Sequence, residues 1–235
     1  MKGVIVGISG GDLNSTDALN KYALSLTGKK YPHMLFIPTA SYDAEEYIEN
    51  IKNYYRELQC SVSVLSIIKK NYSEQEVKAM FKKADIIYVG GGDTEEMLKI
   101  WRKRGVDREI QKAYEEGKIM TGISAGTIIW FKYGFSDSDF FKKPNDWDYK
   151  FVEGMGNIPF AVCPHYDEEG RSQFDKRLEE IGVDGIALEN NSAIVVSESQ
   201  MFIIKSNDTA KAFLLKKDEK GYCKREMVNR DYFKV

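Results

Sequence analysis

Lys118 to Trp130 reads K-I-M-T-G-I-S-A-G-T-I-I-W and carries the pattern G-x-S-x-G at Gly122, Ser124 and Gly126. The pattern has a steric cause. A serine on a sharp turn between a strand and a helix needs backbone to pass close on both sides, which glycine allows because it lacks a Cβ. The flanks suit such a nucleophile elbow. Ile119 to Ile123 is a short apolar run fit for a buried strand, and Ser124 to Trp130 can open a helix.

Upstream of the elbow, strand-like and helix-like stretches alternate. Val4 to Ser9 reads as a buried strand, and Thr16 to Leu26 as a helix entered through Asn14-Ser15 and ended by Gly28. Met34 to Pro38 is a second strand, Asp43 to Leu58 a helix, and Val62 to Ile68 a β-branched strand. Ser73 and Glu76 have the spacing of a capping box, opening a helix to Lys83. Ile86 to Val89 is a strand cut off by Gly90-Gly91-Gly92, and Thr94 to Arg104 and Asp107 to Glu116 are helical stretches broken at Gly105. Such alternation predicts a mostly parallel sheet flanked by helices, an α/β fold in which ligands sit beyond the carboxyl ends of the strands. Both glycine-marked loops, 90–92 and 122–126, fall at those ends.

Lys132 to Ile158 reads as a long irregular excursion walling the site. Phe160 to Pro164 is a strand that delivers His165, and a helix follows from about Gly170 to Ile181. Short strands at 186–188, 193–196, 201–204 and 212–215 suggest antiparallel hairpins at one edge. No repeat or linker divides residues 1–235, so one domain is expected.

Lysine plus arginine number 34 against 36 aspartate plus glutamate, a net charge of -2 with no basic block. This gives no electrostatic case for a nucleic-acid partner. No stretch approaches the roughly 20 apolar residues of a membrane span. Cys60, Cys163 and Cys223 lie far apart, an odd count that reads as reduced thiols. A cytoplasmic protein without a membrane partner is the expectation.

A serine nucleophile needs a base, usually histidine. Of the two histidines, His33 stands at the amino end of its strand, whereas His165 stands at a carboxyl end, in Cys163-Pro164-His165-Tyr166-Asp167. The carboxylates between serine and histidine are Asp137, Asp139, Asp146, Asp148 and Glu153, and the pattern alone does not choose among them. The amide of Ala125, next to the nucleophile, and that of Gly91 are candidates for an oxyanion hole. The triple glycine lacks the lysine of a phosphate-binding G-x-x-x-x-G-K-[ST] loop. With two histidines, no H-E-x-x-H and no cysteine pair, no metal site and no cofactor is implied.

The segments V-G-G-G-D-T at 89–94, G-I-S-A-G at 122–126, S-D-S-D at 136–139 and P-H-Y at 164–166 resemble, in order, peptidase E, the aspartyl dipeptidase of the family that also holds cyanophycinase. The resemblance runs from P-T-A-S at 38–41 to E-N-N at 189–191. It implies a class I glutamine amidotransferase-like (flavodoxin-like) sheet, hydrolysis of small peptides, and a triad of Ser124, Asp139 and His165. Glutamate is an alternative acid among cyanophycinase-like members. The segment from Phe140 to Glu153 departs from the family pattern. A preference for an N-terminal aspartate, also implied by the resemblance, would need a cation for the substrate carboxylate. Arg171, six residues after His165, is the candidate, with Glu189 or Asn190 for the substrate ammonium.

Two other readings compete. One is an α/β-hydrolase esterase, although that fold puts its histidine after the last strand, and here about 70 residues follow His165. The other is an amidotransferase-like binding protein without chemistry.

Overall fold

A computed structural model of the chain describes residues 2–198, 200–228, 230 and 232–234. The first half alternates as the sequence predicts: β1 (Val4–Ile8), α1 (Asp17–Ser25), β2 (His33–Ile37), α2 (Glu45–Glu57), β3 (Ser61–Val64), α3 (Glu74–Lys83), β4 (Ile86–Val89), α4 (Thr94–Arg104), α5 (Val106–Glu115) and β5 (Ile119–Ile123). The local signals act as read. Ser73 and Glu76 close a reciprocal capping box at α3, and Gly105, in the left-handed region at φ 73°, separates α4 from α5.

The helix after the elbow, α6 (Ala125–Ile128), is shorter than expected, because Phe131 already begins a strand. From there the chain builds β6 (Phe131–Ser136), β7 (Lys150–Glu153), β8 (Ile158–Cys163), α7 (Gln173–Ile181), β9 (Gly185–Leu188), β10 (Ser192–Ser197), β11 (Gln200–Lys205), β12 (Ala212–Asp218), β13 (Gly221–Met227) and β14 (Tyr232–Lys234).

These strands form two sheets. The first has the order β14-β11-β10-β1-β5-β4-β2-β3, parallel from β1 to β3 and antiparallel from β1 outward through β10. The second has the order β13-β12-β9-β8-β6-β7, with β6, β8 and β9 parallel and antiparallel strands at both edges. The sequence reading therefore needs two corrections. The stretch 132–158 is not wholly irregular, since it holds β6 and β7. The late strands do not form one antiparallel edge: β10 and β11 extend the first sheet, and β9 and β12 belong to the second.

Two-sided burial explains the apolar runs of the parallel strands. Along β2 and β4, Leu35, Ile37, Ile87 and Val89 face one core, while Met34, Phe36, Ile86 and Tyr88 face another. The first core is continuous with the second sheet, joining Trp101 and Ile110 to Trp130, Val162, Ile186 and Leu214. On the far side of that sheet, Phe174 and Leu178 of α7 pack on Phe135, Ala161 and Cys163.

The adjacent parallel strands β1, β5 and β4 end side by side, and this fixes the glycines of the elbow. A Cβ on Gly126 would lie 2.2 Å from the Val89 carbonyl oxygen of β4, and one on Gly122 would lie 2.8 Å from the same atom. Backbone cannot retreat from such a contact without moving the sheet. Gly126→Ala is expected to lower unfolding stability by about 3 kcal/mol, overpacking at a site that cannot give. A urea melt within about 0.5 kcal/mol of the parent would show that β4 and the elbow are not so closely apposed.

Candidate active site

Ser124 follows β5 with φ 54° and ψ −109°, a strained conformation for a residue with a Cβ. The strain is held by β1: the Ser124 amide donates to the carbonyls of Ile8 (3.0 Å) and Ser9 (3.1 Å), and Thr127 Oγ1 donates to the Ile8 carbonyl at 2.7 Å. His165 follows β8, on the second sheet, and is also left-handed at φ 56°. Its amide donates to Ser9 Oγ at 2.7 Å, and Ser9 Oγ donates in turn to the Leu188 carbonyl of β9 at 2.7 Å. The end of β1 thus holds both residues. Gly10 leaves room for the imidazole, since a Cβ there would stand 2.3 Å from His165 Nδ1 and 2.1 Å from Asn190 Oδ1.

The imidazole is oriented through Nδ1, which lies 2.8 Å from Asn190 Oδ1 and 3.1 Å from Glu168 Oε1. The hydrogen-bond network decides which way the Asn190 amide points. Its Nδ2 faces Glu168 Oε1 at 3.1 Å and Asp167 Oδ2 at 3.3 Å, and its backbone N–H donates to Asp167 Oδ1 at 2.8 Å. Ionised carboxylates only accept, so the amide nitrogen belongs on their side and Oδ1 on the side of His165. An acceptor at Nδ1 keeps the proton there and leaves Nε2 with a lone pair.

Asp139 stands elsewhere. Lys150 Nζ holds it at 2.6 Å and holds Glu95 at 2.9 Å. Although burial pulls the Lys150 ammonium down, its hydrogen bonds to the two carboxylates carry it above its ordinary value. The groups within hydrogen-bonding distance of His165 Nδ1 are therefore an amide and a glutamate, not Asp139. Ser9, Gly10 and Glu168 have no role in the sequence reading, although the S-G-G run at 9–11, ending a strand, is a signal that could have found the first two.

The expected substrate contacts are also redistributed. Arg171 is 2% exposed, its guanidinium donating to the Phe135 carbonyl (2.9 Å) and to Asp137 Oδ2 (3.1 Å) and stacking 4.6 Å from the Tyr149 ring centroid. It braces the His165 loop against β6, and its guanidinium is buried, with Nε left without a partner. Glu189 Oε2 accepts from the Lys211 amide at 2.8 Å, and Asn190 serves the imidazole.

The oxyanion candidates lie close to Ser124. Ala125 opens α6, so its amide is among the first-turn donors that lack an intrahelical acceptor. A Cβ on Gly91 would be 3.4 Å from Ser124 Cβ, and the Gly91 amide points to Tyr47 Oη at 3.4 Å. Burial pushes the Tyr47 phenol up, so it stays neutral. The 137–149 segment joins the loops around the site. Ser138 Oγ accepts from the Glu95 amide at 3.2 Å, and Tyr149 Oη donates to the Glu169 carbonyl at 2.9 Å.

His33 pairs with Ser61 and Ser63 at the opposite ends of the strands. Burial raises the Cys60 thiol to about 11 and lifts that of Cys163 further, so neither is a thiolate nucleophile at neutral pH. Among the described residues, no group of three or more His, Cys, Asp or Glu side chains is arranged to hold a metal ion, and no helix is long and apolar enough to cross a membrane.

Comparison with known proteins identifies the family of the chain and relatives of its fold. The sequence model of peptidase family S51 matches residues 5–204. The chain is 31% identical over 219 residues to the uncharacterized peptidase YgaJ of Bacillus subtilis (strain 168), covering 91% of each. It is 28% identical over 163 residues to the uncharacterized peptidase Lmo0363 of Listeria monocytogenes, covering 67% of this chain and 76% of that one. Two crystal structures share the fold. A peptidase from an acI-B1 actinobacterium superposes with a TM-score of 0.73 at 19% identity, covering 100% of this chain and 98% of the other. A protein named as a candidate peptidase E from Listeria monocytogenes EGD-e gives 0.67 at 21%, covering 87% and 99%. The chain belongs to peptidase family S51, the peptidase E family, and is a serine-type peptidase.

The placement of Arg171 sets an expectation for its removal. Arg171→Met should cost about 1–3 kcal/mol of stability by leaving the buried Phe135 carbonyl without its donor, and should slow all substrates alike. A selective loss on aspartyl peptides with an unchanged melt would return Arg171 to the substrate pocket.

Proposed function

We propose that the protein hydrolyses small peptides, dipeptides among them, with Ser124 as nucleophile and His165 as general base and acid. The observation that carries this reading is the anchoring of both residues by the same end of β1, with the His165 Nδ1 proton directed at Asn190 and Glu168. Ser124 Oγ attacks the scissile carbonyl as Nε2 takes its proton. The developing oxyanion meets the amide of Ala125, and that of Gly91 as it exchanges its long 3.4 Å contact with Tyr47 Oη for the substrate oxygen. Nε2 then returns the proton to the leaving amine, and water releases the acyl group by the same route. The order serine, histidine, amide supplies what an aspartate supplies elsewhere, a fixed tautomer and ring orientation. Glu168 Oε1, 3.1 Å from Nδ1, is a second acceptor that holds the ring in this orientation. The aspartyl preference implied by the resemblance loses its structural support with Arg171 buried against Asp137.

Ser124→Ala and His165→Ala should each abolish labelling by a fluorophosphonate probe and dipeptide hydrolysis. Asn190→Leu should lower kcat on the order of 10²- to 10⁴-fold with KM little changed, whereas Asp139→Asn should stay within about threefold of the parent. The reverse ranking, Asp139→Asn inactive and Asn190→Leu active, would restore Asp139 as the orienting acid. An absence of labelling in the parent protein would sink the hydrolase reading itself.

A further inference from the structure

Tyr47, in the first turn of α2, reaches the glycine loop that faces the elbow. Its hydroxyl oxygen lies 3.4 Å from the Gly91 amide, and a Cβ on Gly91 would lie 3.4 Å from Ser124 Cβ, so a single glycine separates the phenol from the proposed nucleophile. The ring is held in place. It meets Phe36 edge to face with centroids 5.3 Å apart, and a Cβ on Gly90 would stand 2.9 Å from Tyr47 Cε1, which sets the ring against the backbone of the same loop. With Tyr88, and with Ile123 directly before Ser124, Tyr47 also lines a cleft of about 520 Å³, so the phenol is open to an entering ligand.

The hydrogen bonds around this phenol leave one proton unspent. The Gly91 N–H can only donate, so it occupies a lone pair of Tyr47 Oη and not the phenolic proton. The phenols of Tyr47 and Tyr88 share a further hydrogen bond. That pair has two O–H protons and uses one of them between its two oxygens, and among the described residues no other group accepts the second. An anionic oxygen about 2.9 Å along the Gly91 N–H would be the missing acceptor. Two oxygens in front of one N–H stand within hydrogen-bonding reach of each other, so the phenol that gives up the Gly91 amide regains a partner by donating to the oxygen that displaced it. Tyr88 then donates to Tyr47, Tyr47 donates to the oxyanion, and both protons are used. Burial raises both phenols above their ordinary value, which keeps the proton on Tyr47 at neutral pH. A phenol polarised by a second phenol is also a stronger donor than a lone one.

We infer that Tyr47 is a catalytic residue, a third donor of the oxyanion hole whose hydroxyl joins the amides of Ala125 and Gly91 on the developing charge. The inference rests on the reading of Ser124 as nucleophile, and its test separates the two. The parent, Tyr47→Phe and Tyr55→Phe are compared by the second-order rate of labelling with a small fluorophosphonate, whose phosphonyl oxygen takes the oxyanion position. Tyr47→Phe should be labelled about ten- to a hundredfold more slowly, since one donor of three is lost while two amides remain. Tyr55→Phe removes a buried hydroxyl of the same helix, one that donates to Asn20 at 2.9 Å, and should be labelled within about twofold of the parent. Thermal melts establish that both variants are folded. In crystals of the labelled parent, a readout that needs no variant, the phosphonyl oxygen should lie within hydrogen-bonding distance of Tyr47 Oη. An unchanged labelling rate in folded Tyr47→Phe, an equal loss in Tyr55→Phe, or a phosphonyl oxygen turned away from Tyr47 would each overturn the inference and leave Ser124 as nucleophile. A parent that is not labelled at all would overturn the nucleophile, and the inference with it.

Discussion

The carboxyl end of β1 is the constraint on which the site depends. Its Ile8 and Ser9 carbonyls take the amide of Ser124, its Ser9 hydroxyl takes the amide of His165, and its Gly10 yields the volume that the imidazole and the Asn190 amide occupy. Ser124 and His165 each sit in a left-handed conformation that costs roughly 1–3 kcal/mol for a residue with a side chain, and such conformations persist only where the surroundings over-determine them. Here the over-determination comes from one strand end shared between two sheets. Ser9 Oγ bridges His165 to the Leu188 carbonyl, so β1 of the first sheet and β9 of the second are locked beside Ser124 and His165.

The second level of support is a carboxylate cluster that acts through an amide. Asp167 and Glu168 occupy the donors of Asn190, which leaves its oxygen no choice of direction. Arg171 then anchors the same loop from behind by its buried contacts with Phe135 and Asp137. The loop from 165 to 171 is thus fixed at both ends, and the side chain at its start inherits that rigidity.

The elbow was legible in the sequence because its cause is steric and local: Gly122 and Gly126 are demanded by the Val89 carbonyl whatever the rest of the chain does. The parallel strands were legible because burial on both faces leaves apolar runs. The second sheet was not, since β6 and β7 are separated by a 13-residue polar and aromatic segment, and β7 has only four residues in which to show alternation. β13 escaped for a related reason. It is an edge strand whose K-R-E side chains are exposed, so its sequence reads like a loop. At the site, position along a strand singled out Ser124 and His165 as candidates, but finding the neighbours of Nδ1 required knowing that β9 brings Asn190 alongside and that Lys150 has already taken Asp139. Those are contacts between residues 25 and 11 positions apart, and no local spacing encodes them.

The account stands or falls on whether Ser124 and His165 form one reacting centre at the end of β1. A crystal structure of the protein after reaction with a small fluorophosphonate tests this most directly. The account predicts a covalent bond at Ser124 Oγ, the phosphonyl oxygen between the amides of Gly91 and Ala125, and His165 Nε2 within hydrogen-bonding distance of the modified oxygen, with Nδ1 still on Asn190. An adduct at another residue, or an adduct at Ser124 with His165 turned away and the oxygen in solvent, would contradict it.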